Sequence, residues 1–161
     1  MKTRIGFGFD AHKLVEKRDF YLGGIKIKHS KGALGHSDAD VLIHSICDAL
    51  LGAANLRDIG FHFPDNSAKY KNIDSKILLK KVVKLLKEKK YKIGNIDSTI
   101  CLQKPKISGY IPQMKKVLSE VIEIPEEDIS IKATTNEKMG YIGREEGVAA
   151  YSVVICEVVK W

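Results

Sequence analysis

The chain has 161 residues, of which 44% are hydrophobic and 29% charged, a composition typical of one globular domain with its own core. No apolar run approaches the roughly 20 residues that span a bilayer, so we expect no membrane partner. The formal net charge of +7 lies in residues 76–92, which hold eight lysines and one glutamate but only one aromatic residue, Tyr91, so we expect no nucleic-acid partner.

Hydrophobic periodicity and turn residues divide the chain into strands and helices. Their order predicts a single α+β domain over residues 1–161, with a mixed β-sheet and helices packed on one face. The first predicted elements are strands at 3–9 and about 20–28, the second broken by Gly23-Gly24, followed by helices at about 40–54 and 75–90. A strand at about 95–103, a helix at about 111–122, and strands at 128–134 and 147–159 complete the chain.

Three local patterns refine this prediction. Ser37 followed three residues later by Asp40 fits a capping box at the start of the first helix. In the second helix Leu78, Val82 and Leu86 fall on one face, so most of its lysines are predicted to lie on a solvated outer face. The final strand is apolar on both faces, which suggests that a neighbouring subunit covers one of them.

The strongest local signal for chemistry is Asp10-Ala11-His12, directly after the first predicted strand. Residues two apart in extended chain point to the same side, so this carboxylate and imidazole can converge on one metal ion. Both groups are zinc ligands, and three protein ligands with one open position are typical of catalytic zinc. They also come too early in the chain for the apolar core of a signal peptide, which predicts a cytoplasmic location. The histidines that could supply a third ligand are His29, His36, His44 and His62.

His44 lies on the first predicted helix, with Asp40 and Asp48 four residues to either side on the same face. A metal-bound histidine usually donates its other N–H to a carboxylate or a carbonyl, and these two carboxylates could fill that role. The alternative interpretation is an ordinary polar helix face without a metal.

The segment from Gly6 to Ala11 also matches the G-x-G-x-x-A dinucleotide fingerprint after a strand. However, Asp10 would place a negative charge against the pyrophosphate, and no clear helix follows. We therefore interpret Gly6 and Gly8 as glycines that let the backbone pass closely behind a metal site.

Further segments carry residues suited to a phosphate-bearing ligand, although turn formation alone can explain those of the long loop. Hydroxyls and backbone amides can bind phosphate oxygens, and a glutamate can hold a Mg²⁺ that keeps most of its waters. These segments are Asp58-Ile59-Gly60 and Phe63-Pro64-Asp65 in the loop, Gln103-Lys104-Pro105-Lys106 after one strand, and Thr134-Thr135-Asn136-Glu137-Lys138 after another.

Taken together and in order, these pieces resemble the 2-C-methyl-D-erythritol 2,4-cyclodiphosphate synthase family of the non-mevalonate isoprenoid pathway. The similarity covers nearly the whole chain, and the spacing between motifs also fits one short domain. The segments that carry it are RIGFGFDAH, GHSDADVLIHSICDALLGAANLRDIG, FPDN, NIDSTICLQKPK, IPQM and IKATTNEKMGYIGREEGVAAYSV.

The resemblance implies an enzyme, a phosphorus–oxygen lyase, that cyclises 4-diphosphocytidyl-2-C-methyl-D-erythritol 2-phosphate and releases CMP. It implies one Zn²⁺ per subunit held by Asp10, His12 and His44. A second ion, Mg²⁺ or Mn²⁺, would bind together with the substrate at Glu137. The family is a homotrimer with active sites at subunit interfaces, which agrees with the two-sided apolar final strand.

The resemblance also implies which residues contact the substrate. His36 and Thr135 would act as catalytic groups that orient the phosphates, and Asp58 would bind the erythritol hydroxyls. The other implied contacts to the phosphates and the sugar are Asp10, His12, Ser37, Ile59, Gly60, Phe63, Pro64, Asp65 and Glu137.

The cytidine diphosphate half of the substrate would lie against Lys106 and Thr134. Tyr141 and Arg144 resemble residues that line a central cavity of the trimer, where isoprenoid diphosphates can sit. Three positions depart from the family's usual residues, namely Asn136, Ser67 and Ala39.

Two other functions fit parts of the sequence. The same metal site could serve a zinc-dependent phosphohydrolase in which water is the nucleophile. A non-catalytic module that binds a nucleotide or RNA through the lysine-rich helix is a third possibility, and it predicts binding that weakens steeply with salt.

Overall fold

A mixed sheet of five strands organises the computed structural model, which describes residues 2–159. The strands in chain order are β1 (Lys2–Glu16), β2 (Phe20–Leu22), β3 (Ile25–Ile27), β4 (Lys31–Leu34), β5 (Tyr91–Cys101), β6 (Ile129–Thr134) and β7 (Gly147–Val158). Their order in the main sheet is β4-β1-β7-β5-β6, and only the β5–β6 pair is parallel. β2 and β3 form a separate hairpin.

Helices cover one face of this sheet, which confirms the predicted α+β architecture. The helices are α1 (Val41–Ala53), α2 (Ile59–His62), α3 (Ser75–Glu88), α4 (Ile111–Ile122) and α5 (Gly140–Gly143). α1 packs on β1 and β7, α3 packs on α1, and α4 contacts both α3 and β6. Within residues 2–159, no helix combines the length and the apolar character that crossing a bilayer requires.

The close packing of α1 on β1 depends on two glycines. A Cβ atom at Gly6 would lie 1.8 Å from the carbonyl oxygen of Ala49, and one at Gly8 would lie 1.9 Å from that of Ser45. The glycines therefore let the helix that carries His44 approach the strand, which confirms the close backbone approach predicted for them. A hydrogen bond also joins α1 to the neighbouring strand, since the buried hydroxyls of Ser45 and of Ser152 on β7 are 2.7 Å apart.

The opposite face of the sheet is open in the single chain and is apolar. Because side chains alternate along a strand, the odd-numbered residues of β1 point away from α1. The large side chains on this face are Ile5, Phe7, Phe9, Tyr151 and Val153, which are 72%, 61%, 43%, 41% and 42% exposed. Within the single chain, the final strand is thus buried on one face only. A second molecule would have to cover the other face for the prediction of two covered faces to hold.

Several predicted boundaries were wrong. β1 continues to Glu16, so Asp10 and His12 lie within the strand and do not follow it. The strand at 20–28, predicted to be broken by Gly23-Gly24, is a hairpin, because both glycines have positive φ and turn the chain back. β4 and the short helices α2 and α5 were not predicted, since each has only four residues.

The capping box was also assigned one turn too early. Asp40, and not Ser37, is the N-cap of α1, and its Oδ1 accepts the N–H of Ile43 at 3.0 Å. The same buried carboxylate accepts the N–H groups of Gly23 and Gly24 at 3.0 and 2.7 Å. One side chain therefore fixes both the start of the helix and the turn of the hairpin.

The lysine-rich helix α3 has the predicted amphipathic packing. Its buried residues include Leu78, Leu79, Val82, Val83 and Leu86. The lysines of this helix lie off that face, so the local charge belongs to a solvated surface, as expected for an amphipathic helix.

Candidate metal centre

Three side chains meet between β1 and α1 as the sequence predicted. Asp10 Oδ2 lies 2.8 Å from His12 Nε2 and 3.0 Å from His44 Nδ1, and the two imidazole nitrogens are 3.2 Å apart. Asp10 and His12 face α1 because both are even-numbered residues of β1, like Gly6 and Gly8. Within residues 2–159 these are the only His, Cys, Asp or Glu side chains grouped closely enough to hold a metal.

The orientation of His12 is fixed by the edge strand of the sheet. Its Nδ1 lies 3.0 Å from the carbonyl oxygen of Leu34 on β4. A carbonyl only accepts hydrogen bonds, so Nδ1 carries a proton and Nε2 is the ring nitrogen that faces Asp10 and His44.

His44 is held from behind by two hydroxyls. Its Nε2 lies 2.9 Å from Ser75 Oγ and 3.1 Å from Ser37 Oγ. The predicted support from Asp40 and Asp48 is wrong, because their hydrogen bonds go elsewhere. Asp40 accepts the backbone N–H groups described above, and Asp48 accepts the N–H of Ile59 at 2.8 Å.

The cluster strongly favours an ionised carboxylate. Burial by itself would raise the pKa of Asp10, but hydrogen bonds from His12 and His44 outweigh it and lower that pKa to about 2. Burial likewise would lower the pKa of His44, yet its bond to Asp10 raises it above the ordinary value. One carboxylate oxygen and two imidazole nitrogens, directed at one point, form a donor set that suits a divalent metal with an open fourth position.

A cavity of about 450 Å³ opens beside the triad. It brings together most of the residues predicted to contact the phosphates and the sugar. Its lining includes His12, His36, Ser37, His44, Ile59, Gly60, Phe63, Pro64 and Asp65. Asp58 is not in this lining and is an exposed residue just before α2.

On the side of the cavity where His36 lies, side chains are held in place by hydrogen bonds to backbone carbonyl oxygens. His36 Nε2 donates to the carbonyl oxygen of Ser67 at 2.9 Å, so the unusual side chain at position 67 is not needed for this contact. Arg18 donates to the carbonyl oxygens of Ala33, Gly35 and Ser37 at 2.6, 3.1 and 3.1 Å. Sequence reasoning missed Arg18, because its three partners are backbone atoms that leave no motif.

The remaining predicted residues form a second group, in the loops after β5 and β6 and on α5. All of them are exposed in the single chain: Lys106, Thr134, Thr135, Glu137, Tyr141 and Arg144. Gln103 Oε1 accepts the N–H groups of Asn136 and Lys138 at 3.4 and 3.3 Å, which holds the two loops together.

Within one chain, the members that directly follow β6 lie apart from the triad, whereas Tyr141 lies against Gly147, the partner of Lys13 in β1. Asp10 pairs with Ala150, Ala150 with Ile100, and Ile100 with Ala133, so three strand spacings separate β1 from β6. At about 4.8 Å per spacing the separation is roughly 14 Å. The structure therefore brings the triad and cavity residues together but leaves the loop residues at a distance.

A larger groove of about 560 Å³ lies between the C-terminal ends of α3 and α4, far from the triad along β5. Lys87, Lys90 and Lys92 line its rim. No group of metal-ligating side chains lies there within the described part of the chain. The chemistry is therefore concentrated at the smaller cavity.

Comparison with known proteins gives one consistent result. The YgbB family model matches residues 3–157. A Bacteroides fragilis protein named 2-C-methyl-D-erythritol 2,4-cyclodiphosphate synthase is 65% identical, over 96% of this chain and 98% of its own length. A Bacteroides thetaiotaomicron protein of the same name is 63% identical, over 98% of this chain and 99% of its own length.

Solved structures agree with this assignment. The bifunctional IspDF from Campylobacter jejuni is 40% identical with a TM-score of 0.95, and the match covers 99% of this chain but 43% of the longer IspDF chain. The CDP complex of IspF from Plasmodium falciparum is 37% identical with a TM-score of 0.86, over 98% of this chain and 97% of that one. The chain therefore belongs to the YgbB family, the family of the 2-C-methyl-D-erythritol 2,4-cyclodiphosphate synthases, and is an enzyme of this class of lyases.

Proposed function

We propose that this enzyme converts 4-diphosphocytidyl-2-C-methyl-D-erythritol 2-phosphate into 2-C-methyl-D-erythritol 2,4-cyclodiphosphate and CMP, in the cytoplasm. The observation that carries the proposal is the convergence of Asp10, His12 and His44 beside a cavity that suits a small phosphorylated ligand. The high identity to proteins named for this product supports the same conclusion.

The reaction requires little acid–base chemistry from the protein. A 2-phosphate oxygen, already anionic at neutral pH, forms a bond to the β-phosphorus, and the bond from that phosphorus to the bridging oxygen of CMP breaks. Such a transfer depends on positioning and on neutralising charge on the phosphoryl oxygens. Ser37 and His36 line the cavity and would orient the phosphates there.

We propose Zn²⁺ as the ion of this site. Asp10 Oδ2, His12 Nε2 and His44 Nδ1 would hold it, and the donor set of one oxygen and two nitrogens fits its preferences. When bound, zinc would supply Lewis-acid neutralisation of a phosphate oxygen. Glu137, exposed after β6, would contact a second ion, Mg²⁺ or Mn²⁺, that arrives with the diphosphate.

The working enzyme is proposed to be a homotrimer. The apolar open face of the sheet supports an assembly, since Ile5, Phe7 and Val153 are 72%, 61% and 42% exposed in the single chain. The separation of roughly 14 Å between the triad and the β6 loop, from three strand spacings, also supports it. A second copy would bring Lys106, Thr134 and Thr135 to the triad, and Tyr141 and Arg144 would line a central cavity that accepts isoprenoid diphosphates.

Product analysis tests this function against a phosphohydrolase that uses the same metal. The purified protein is incubated with the cytidyl substrate, Zn²⁺ and Mg²⁺ in ¹⁸O-labelled water, and the products are identified by mass spectrometry. We expect CMP and the cyclic diphosphate, with no ¹⁸O in either. A linear product that carries ¹⁸O would show that water is the nucleophile and would overturn the proposal.

A further inference from the structure

A partly buried series of hydrogen bonds leads away from the candidate metal centre behind His44. His44 Nε2 contacts Ser75 Oγ at 2.9 Å, and Ser75 Oγ in turn contacts Asp38 Oδ1. The backbone N–H of Ser75 also donates to Asp38 Oδ2 at 3.0 Å. Ser75 is fully buried at the first turn of α3. These hydrogen bonds therefore join α1, the first turn of α3 and the loop before α1.

The chemistry of the three partners fixes which atom donates in each of these hydrogen bonds. The ionised carboxylate of Asp38 can only accept, so the Ser75 hydroxyl donates its single proton to it. That hydroxyl then has only lone pairs to offer to His44, and His44 Nε2 must be the donor. In the neutral imidazole the proton therefore lies on Nε2, and the lone pair of Nδ1 faces Asp10 and His12.

We propose that Asp38, acting through Ser75, is a positioning residue that fixes the tautomer of His44 needed for metal binding. This inference rests on the metal site proposed above. It assigns a purpose to two residues that neither touch the proposed ion nor lie within the predicted set of site residues.

The second hydroxyl near His44 cannot fix the direction alone. Ser37 Oγ lies 3.1 Å from His44 Nε2 and accepts the N–H of Ala39 at 3.1 Å. Its own proton is free to turn toward or away from the imidazole. The Ser75 hydroxyl differs, because its proton is already donated to the Asp38 carboxylate and so cannot be donated to His44 Nε2.

The variant Asp38→Asn is expected to reverse this direction. Asp38 Oδ2 accepts from Ser75 N at 3.0 Å, and Oδ1 accepts the weaker bond from Asp40 N at 3.2 Å. The amide oxygen should therefore stay on Ser75 N and its NH₂ group should face Ser75 Oγ. The Ser75 proton then points at His44 Nε2 and favours the tautomer with the proton on Nδ1, which opposes the metal.

We expect Asp38→Asn to weaken Zn²⁺ binding by about 10- to 100-fold, the usual effect of losing an outer partner of a metal ligand. The affinity is measured by competition with a chromophoric chelator. Saturation with Co²⁺ adds a second readout, since the three ligands remain and the visible absorption band should keep its shape at higher cobalt concentration. A displaced ligand would instead change the band.

The double variant separates the tautomer effect from the loss of charge. Ser75→Ala alone leaves Ser37 on His44 and should weaken Zn²⁺ by less than about tenfold. Asp38→Asn combined with Ser75→Ala should recover the affinity of Ser75→Ala, because the hydroxyl that residue 38 orients is gone. Asp74→Asn removes a nearby charge at the start of α3 and serves as the matched control, with no expected change.

Three results would overturn the inference. If Asp38→Asn bound Zn²⁺ as tightly as the wild type, Asp38 would have no positioning role. If the double variant Asp38→Asn/Ser75→Ala bound Zn²⁺ as weakly as Asp38→Asn alone, the effect would come from the lost charge and not from the tautomer. If Asp38→Asn does not fold, Ser75→Thr must retain more affinity than Ser75→Ala, and equal loss in both would also count against it. A wild-type protein that binds no Zn²⁺ would reject the metal proposal itself, which is a distinguishable failure.

Discussion

The triad half of the candidate site and the loop half after β5 and β6 are built in different ways. In the triad half, each histidine has one nitrogen bonded to a neighbouring element, with His12 bonded to Leu34 and His44 to Ser75. In the loop half, Lys106, Thr135 and neighbouring predicted contacts are exposed. The comparison indicates that the candidate metal centre is preorganised within one chain, whereas the loops proposed to bind substrate would need a ligand or a second copy to complete them.

The largest expected effect comes from breaking the preorganised half. His44→Ala removes one of three ligands, so we expect loss of retained zinc and a fall in turnover on the order of a thousandfold or more, since a bound metal contributes several kcal/mol. Metal analysis and steady-state kinetics measure it. His62→Ala is the control, because His62 donates to the carbonyl oxygen of Leu56 outside the triad. Full zinc occupancy in His44→Ala would contradict the assignment of the ligands.

A substitution at the contact between β1 and α1, next to the triad, should reduce the stability of the protein. Gly8→Ala would place a methyl group 1.9 Å from the carbonyl oxygen of Ser45, a backbone atom that cannot move aside without shifting α1. We expect the free energy of unfolding to fall by about 3 kcal/mol or more, measured by urea denaturation. Gly109→Ala is the matched control, since no atom lies within 4 Å of its added Cβ. Equal stability of the two variants would show that the glycine contact does not hold α1 in place.

The assembly prediction concerns the completion of the loop half. Phe7→Asp puts a charge on the open apolar face, and the desolvation of an unpaired charge should dissociate the trimer at a cost of several kcal/mol. Light scattering is expected to give three times 18.0 kDa for the parent chain and one subunit for the variant. Ile77→Asp, at an exposed site on α3, should leave the trimer intact. A monomeric parent chain would refute the proposed assembly.

The smallest expected effect lies in the exposed loop itself. Lys106→Ala should raise KM for the cytidyl substrate about tenfold, as expected for the loss of one charged hydrogen bond. The zinc content should stay the same, because Lys106 lies on the loop half. Lys84→Ala on the outer face of α3 is the matched control. If zinc content fell in Lys106→Ala, the two halves would not be independent.

Much of the site could be predicted because its signals are local in sequence. Asp10 and His12 share one face of a strand by simple alternation, and the glycines before them indicated a close neighbour. The amphipathic pattern of α3 likewise assigned its lysines to the surface.

The parts that could not be predicted depend on contacts between distant segments. Asp40 bonds Gly23 and Gly24 as well as its own helix, and Ser75 reaches His44 from the start of α3. Arg18 holds the loop of His36 through backbone carbonyls, which any sequence could provide. Such tertiary contacts override local patterns, and the misplaced capping box is the clearest example.

Anomalous diffraction at the zinc absorption edge, from crystals grown with Zn²⁺, would locate the metal among the side chains. We expect one strong peak per subunit, bounded by Asp10 Oδ2, His12 Nε2 and His44 Nδ1, with its free side toward the cavity of His36 and Ser37. A peak held by other residues, or no peak at this position in zinc-saturated crystals, would contradict it.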